Sequence, residues 1–280
     1  MLLGNVPKDG GALIFSEAEE QATSDQVRQY LRPLYGSQEF IKGFRRYCLW
    51  VDKDGYETAR AIPSLAQRFA AVEKMRSESQ KGPTRVWAAK PYSFVEIRSP
   101  QYHNVLVIPR VSSESREYLP VGFLPRGSIV LDSAFALYDP ELWVLSIVGS
   151  RIHLVWIATV CGKLKTDFRY SNTLGWNTFP IPTLTVQNKA DLIRCAEDIL
   201  LAREEHFPAT IADLYDPEDM PDNLRRAHEA NDEVLERIYI GRRFKNDTER
   251  LEKLFELYTK TTQSAGKSQK PSKQNRIEAA

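Results

Sequence analysis

Apolar and polar residues alternate strictly through the stretch CGKLKTDFRYSN, residues 161–172. Lys163, Lys165, Asp167, Arg169 and Ser171 share one parity, and Leu164, Thr166, Phe168 and Tyr170 share the other. A period of two over this length predicts a half-buried β-strand, with its aromatic side turned inward and its charged side turned out. The same spacing also fits a solvated edge strand blunted against aggregation by lysine, so the pattern alone assigns no function.

Short apolar runs broken by Gly and Pro predict further strands upstream: RVWAA, SFVEIRS, HNVLVIPRV, YLPVGFL and SIVLDSAFALY. The segment ELWVLSIVGSRIHLVWIATVCG is long and apolar enough for a helix or a broken helix, and it runs directly into the alternating stretch. Leu65, Phe69, Val72 and Met75 recur at helical spacing behind Pro63 and Ser64. Ser16 followed by Glu19 predicts a capping box for a short helix, whereas GNVPKDGG gathers turn formers and predicts an irregular lead-in over residues 1–16. Beyond Thr183 the period becomes helical in NKADLIRCAEDILLAREEHF, MPDNLRRAHEANDEVLERIYI and NDTERLEKLFELYTKTT, the last capped by Asn246 or Asp247. The remainder, QSAGKSQKPSKQNRIEAA, is polar and without aromatics, which predicts disorder.

The pattern gives an α+β fold. A linker with a short helix spans 1–35, and a mixed or antiparallel β domain with packed helices spans 36–182. A helical C-terminal domain covers 183–262 and a disordered tail 263–280. A length of 280 residues with 42% apolar content supports a substantial core. The chain shows no signal-peptide pattern and no apolar run near the roughly 18 residues that a membrane span needs, so neither secretion nor membrane insertion is expected. Cys48, Cys161 and Cys195 are odd in number and widely spaced, which fits a reducing, cytoplasmic compartment.

The net charge of +1 conceals an asymmetry. Residues 40–110 hold 13 basic against 6 acidic side chains, a net of +7, while residues 183–262 hold 12 against 18, a net of −6. A basic, aromatic-rich block beside an acidic one suits a polyanion partner. Catalytic signatures are missing: there is no HExxH, no paired CxxC, no Walker loop and no GxSxG. His103, His153, His206 and His228 are scattered and read as structural or surface residues. Trp50, Trp87, Trp143, Trp156 and Trp176 read as core, with Trp176 in a loop. No metal site is expected. The balance favours a nucleic-acid reader over an enzyme core.

The stretches YGSQEFIKGFRRYCLWV, IPRVSSESREYLPVGFL, VCGKLKTDFRYSNTLGWNTFPIP, ATIADLYDPEDMPDNLRRAH and LEKLFELY occur in an order that resembles the C-terminal part of the MmeI-like family, from about residue 4 to about residue 262. Those are large single-chain type II restriction-modification proteins that join a nuclease, an adenine-specific DNA methyltransferase and a DNA target recognition domain. The family's glycine-rich S-adenosylmethionine motif and its N-P-P-Y-type catalytic motif do not occur in these residues. The resemblance therefore implies a target recognition domain and a helical C-terminal domain, as an excised fragment or a split gene product. No cofactor would be bound by this chain, and S-adenosylmethionine and a divalent metal for cleavage would belong to the larger enzyme. Double-stranded DNA and a methyltransferase domain or subunit are the implied partners. A free-standing specificity subunit and an independent nuclease with dispersed carboxylates are the alternatives, with an interaction scaffold as a third.

The resemblance also implies roles for particular residues. Lys165, Asp167 and Arg169 fall on the family's base-reading strand, and Arg110, Asp132 and Ser133 fall at further base-reading positions. Read as one strand, Lys165 and Asp167 would lie about 7 Å apart on one face. They could then address one G·C pair, the lysine on guanine and the aspartate on the cytosine amino group. Lys42, Arg45, Arg46, Arg98 and Lys163 are expected on phosphates, and Ser112 and Ser113 either donate to phosphate or shape a turn.

Overall fold

The computed structural model describes residues 1–98 and 102–268. Its architecture is α+β, as the periodicity predicts. The run Val105–Pro109 shows how the sequence builds it. Val105 and Val107 point into one small core with Val130, Ala134 and Ala136, while Leu106 and Ile108 point into a larger one with Phe135, Leu145 and Trp156. A strand buried on both faces must sit inside a sheet. It pairs antiparallel with Ala134–Tyr138 on one side and Gly122–Leu124 on the other, and Leu2–Leu3 adds the far edge.

A second four-stranded sheet runs Ile14–Ser16, Arg46–Leu49, Leu31–Tyr35 and Ile129–Val130, the last pair parallel. The helix Pro63–Ser77 covers it with Leu65, Phe69 and Val72, the spacing read from the sequence. Residues 1–35 are thus not a linker, because they supply strands to both sheets. Asn5 further ties the lead-in down, its side-chain amide donating to the Val130 carbonyl at 2.8 Å. The capping box at Ser16 and Glu19 is present.

The apolar segment forms a broken helix, Trp143–Val148 and Arg151–Val160, interrupted at Gly149 and Ser150. Ser150 caps the second half by accepting from the His153 N–H at 3.2 Å. These two pieces pack with the helices Val186–Glu204, Asp222–Ile240 and Asp247–Ser268, so one core runs from the sheet built on Val105–Pro109 into the helical region. Arg203 spans the junction, donating to the Val121 carbonyl at 2.7 Å and to the Tyr215 hydroxyl at 2.9 Å. The last helix starts behind Asn246, whose side chain accepts from the Glu249 N–H at 2.9 Å. It runs to Ser268, six residues past the expected boundary; the rest of the predicted tail, 269–280, lies outside the described residues.

Two predicted strands are something else. RVWAA forms the end of a short helix, Gly82–Arg85, and a 3-10 turn, Val86–Ala89, because Pro83 sets a helical start and Val86 is left exposed with no strand to pair. The described part of SFVEIRS, residues 93–98, makes only an isolated bridge between Val6 and Glu96, and Ser99 lies outside the described residues.

Candidate nucleic-acid interface

The alternating stretch is a hairpin and not one strand. Gly162–Leu164 pairs antiparallel with Asp167–Arg169, and Lys165 and Thr166 make the two-residue turn. Lys165 adopts a φ of 57°, the left-handed conformation that a tight hairpin turn demands. Asp167–Arg169 in turn pairs with Val111–Ser112, giving a three-stranded sheet that carries the hairpin on the IPRVSS segment.

Cross-strand partners share a face, so the register sorts the side chains. Lys163 lies opposite Phe168, which lies opposite Ser112; this face looks inward, with Ser112 buried and Phe168 packed on the main core. Leu164 lies opposite Asp167, and Arg169 opposite both Gly162 and Val111; this is the outward face. Two expectations are corrected here. Lys165 and Asp167 do not stand two residues apart on one strand face, because the chain turns between them. Lys163 is not on the face of Asp167 and Arg169; its ammonium lies 5.7 Å from the Phe168 ring and 2.7 Å from Glu114.

Tyr170 anchors the hairpin's base. Its N–H donates to the Arg110 carbonyl at 2.8 Å, its hydroxyl lies 3.0 Å from His153 Nε2, and its ring packs 5.7 Å from that of Phe135. Burial drives the His153 imidazole pKa down to about 3, so the ring is neutral and serves the scaffold. His228 is likewise buried, with the Tyr215 hydroxyl at 2.7 Å. Ser171 then caps the one-turn helix Asn172–Trp176. Gly175 in that turn approaches Cys161 so closely that an added Cβ would lie 3.0 Å from its sulfur.

Between the hairpin base and the sheet that holds Leu3 and Phe135 lies a groove of about 360 Å³. Arg110, Arg169, Ser171 and Asn172 supply its polar rim, and Leu3, Phe135 and Tyr170 contribute apolar surface. Two of the expected base readers, 59 positions apart in sequence, therefore share one concavity. Arg110 is steadied from behind, its Nη1 donating to the Asp132 carbonyl at 2.7 Å and its guanidinium lying 5.8 Å from the Phe135 ring. Asp132 and Ser133 are joined to it through the backbone, the Arg110 N–H reaching the Ser133 carbonyl at 3.3 Å. Ser133 Oγ accepts from the Ser37 N–H at 3.2 Å.

The expected phosphate residues divide. Lys42 is exposed at the end of the helix Ser37–Lys42, whose first residue touches Ser133. Arg45 is exposed, with Glu17 at 3.5 Å. Arg46 is held by Glu39 at 2.6 Å, while Glu39 also accepts from the Gly36 N–H at 2.8 Å. Arg98 is a structural clamp: it donates to the Gly4 carbonyl at 2.9 Å and pairs with Glu96. The Ser113 hydroxyl lies 2.8 Å from that of Ser115, and so shapes the loop that follows the IPRVSS strand. Sequence reading missed Arg116, on that loop. Burial lowers its guanidinium pKa, and the negative charges of Asp167 and Asp216 oppose that lowering, so Arg116 stands behind the hairpin's carboxylate. The run SSESRE, with its own acid and base beside IPRV, was the available signal.

Among the described residues no group of three or more His, Cys, Asp or Glu side chains could hold a metal ion, and no helix is long and apolar enough to cross a membrane.

Two family models match the chain nearly end to end: "MmeI, target recognition domain" over residues 1–183 and "MmeI, C-terminal domain" over residues 185–265. The chain is 38% identical over 263 residues to DNA methyltransferase A of Bacillus subtilis (strain 168), covering 93% of this chain and 30% of that protein. A solved structure of the Type IIL restriction-modification enzyme MmeI in complex with DNA superimposes with a TM-score of 0.89 at 32% identity, covering 94% of this chain and 35% of that one. The chain thus spans about a third of the length of the proteins it matches.

Proposed function

The chain belongs to the MmeI family, through that family's target recognition and C-terminal domains, and from this we propose that it reads a specific sequence in double-stranded DNA for a type II restriction-modification enzyme. One observation carries the reading. A two-stranded ribbon carries the exposed Lys165 and Arg169 and the half-buried Asp167 beside a groove rimmed by Arg110. A two-stranded ribbon is one of the shapes that the DNA major groove admits. Arginine and lysine suit the N7 and O6 acceptors of guanine, and Asp167 suits the amino donor of cytosine. Asp132 and Ser133 read a flanking base pair, while Lys42 and Arg45 contact phosphates and set the register.

Methyl transfer to adenine N6, and cleavage, belong to domains outside these residues, on the same polypeptide or docked to it, in the cytoplasm. S-adenosylmethionine and the metal for cleavage would be held there. The target adenine has to leave the base stack to react, so this chain's part is to fix which adenine is presented.

Selection from a randomised duplex pool at two salt concentrations tests the reading. The wild-type chain should enrich one motif, and Arg169→Ala should lose discrimination at one base pair of it by about 1–3 kcal/mol while the other positions stand. Retention without any enriched motif, weakening steeply with salt, would reduce the role to phosphate contact and overturn base reading by this chain.

A further inference from the structure

The outward face of the hairpin carries one side chain that its charge does not explain. Leu164 is 50% exposed, directly across from Asp167 and next to Lys165 in the turn. The hairpin's other apolar side chain, Phe168, is turned inward onto the core, so the fold had an inward face on which to place a leucine. Nothing in the packing holds Leu164 outward; the register does. An apolar side chain in the middle of a reading face has one complementary group on the major-groove edges of the bases, the thymine 5-methyl.

We infer that Leu164 is a specificity-determining residue that packs on a thymine 5-methyl group. The inference rests on the base-reading role proposed for this hairpin and names a further contact within it. The register also places the thymine. Cross-strand partners stand about 4.5–5.5 Å apart at Cβ, whereas successive base pairs are about 3.4 Å apart along the DNA. Leu164 and Asp167 therefore address the same or adjoining base pairs, and the cytosine amino group assigned to Asp167 belongs to a G·C pair, which carries no thymine. The thymine stands in the base pair adjoining the one that Asp167 reads.

The test begins from the motif enriched by the wild-type chain, with the Asp167 position identified by the discrimination lost in Asp167→Ala. Duplexes in which each thymine in turn is replaced by uracil remove single methyl groups and change nothing else on the base edges. For the wild type, uracil at the adjoining position should weaken binding about fourfold, the effect of one buried methyl group. Leu164→Ala should bind the thymine duplex with about that same loss and show no further loss on uracil, while Leu164→Met, which keeps an apolar contact, should retain sensitivity to the methyl. Leu164 is exposed and supports no core, so unchanged circular dichroism is expected in both variants. Uracil tolerated at every position by the wild type, or equal uracil sensitivity in Leu164→Ala, overturns the inference and leaves base reading intact. A wild type that enriches no motif overturns base reading, and the inference with it.

Discussion

Replacing Arg76 with methionine should destabilise the chain by about 3–5 kcal/mol, a large share of the roughly 5–15 kcal/mol that keeps a typical domain folded. Arg76 is fully buried on the helix Pro63–Ser77, and its guanidinium makes five hydrogen bonds to backbone carbonyls. Nε donates to Lys8 at 2.9 Å, Nη1 to Trp87 at 3.1 Å and Lys90 at 2.8 Å, and Nη2 to Pro7 at 2.9 Å and Ser93 at 2.8 Å. Five is the whole donor capacity of the group. The partners come from two segments that share no strand pairing with the helix, and Lys8 is held at a φ of 42°, which a lysine seldom adopts. Methionine fills much of the stem's volume but takes the guanidinium away from all five acceptors; the Trp87 and Lys90 carbonyls keep the N–H groups of Lys90 and Ser93, at 3.1 and 3.2 Å, and each carbonyl left without a donor costs roughly 1–3 kcal/mol where relaxation and water cannot reach it. Arg76→Lys should recover only part of the loss, since an ammonium has three donors without the fixed fork. Urea unfolding followed by circular dichroism measures both; a methionine variant within about 1 kcal/mol of wild type would show that the clamp is dispensable.

Arg76 is also an instance of what the sequence hides. It follows Glu73 and Lys74 near the end of its helix and reads like another surface charge, and only tertiary structure shows that the chain wraps back over it. The strands 105–109 and 134–138 were legible because a short unbroken apolar run matches a strand covered on both faces, and the broken helix because Gly149 and Ser150 interrupt an otherwise apolar run. The hairpin was not legible. Strict alternation continues through Lys165 and Thr166, neither of which signals a turn as Asn-Gly or Asp-Gly would. A two-residue turn pairs residues of opposite parity, so Leu164 joins the face of Asp167 while Lys163 leaves it. Reading parity along the sequence thus placed the residues after the turn on one common face and misplaced those before it. The convergence of Arg110 and Arg169 depends on long-range pairing between Val111 and Arg169, which no local pattern encodes; resemblance of motifs was the available route to it.

Stability should depend on pH through Asp232, and Asp232→Asn should remove that dependence. Asp232 is buried between the helical region and the start of Arg151–Val160, where its Oδ1 accepts from the Arg151 N–H at 2.8 Å. It borders a polar cavity of about 560 Å³ whose charged lining includes Glu229, Glu236, Arg243, Asp247 and Arg250. Desolvation raises its pKa to about 7; Glu236 adds to the rise, while the Arg151 N–H, the Tyr118 hydroxyl and Arg250 oppose it. The folded state therefore holds a proton that the unfolded chain releases near pH 4. Since the folded pKa is the raised one, stability from this group is full below about pH 4, declines as pH rises, and is lost once pH passes about 7. The shift corresponds to roughly 4 kcal/mol between those limits. Asparagine keeps an oxygen for the Arg151 N–H and cannot ionise. The variant should match the wild type near pH 4 and exceed it in stability by a few kcal/mol at pH 8, measured as urea midpoints across that range. Parallel pH profiles for the two proteins would mean that Asp232 titrates as it does in the unfolded chain, with its charge fully compensated by Arg151 and Arg250.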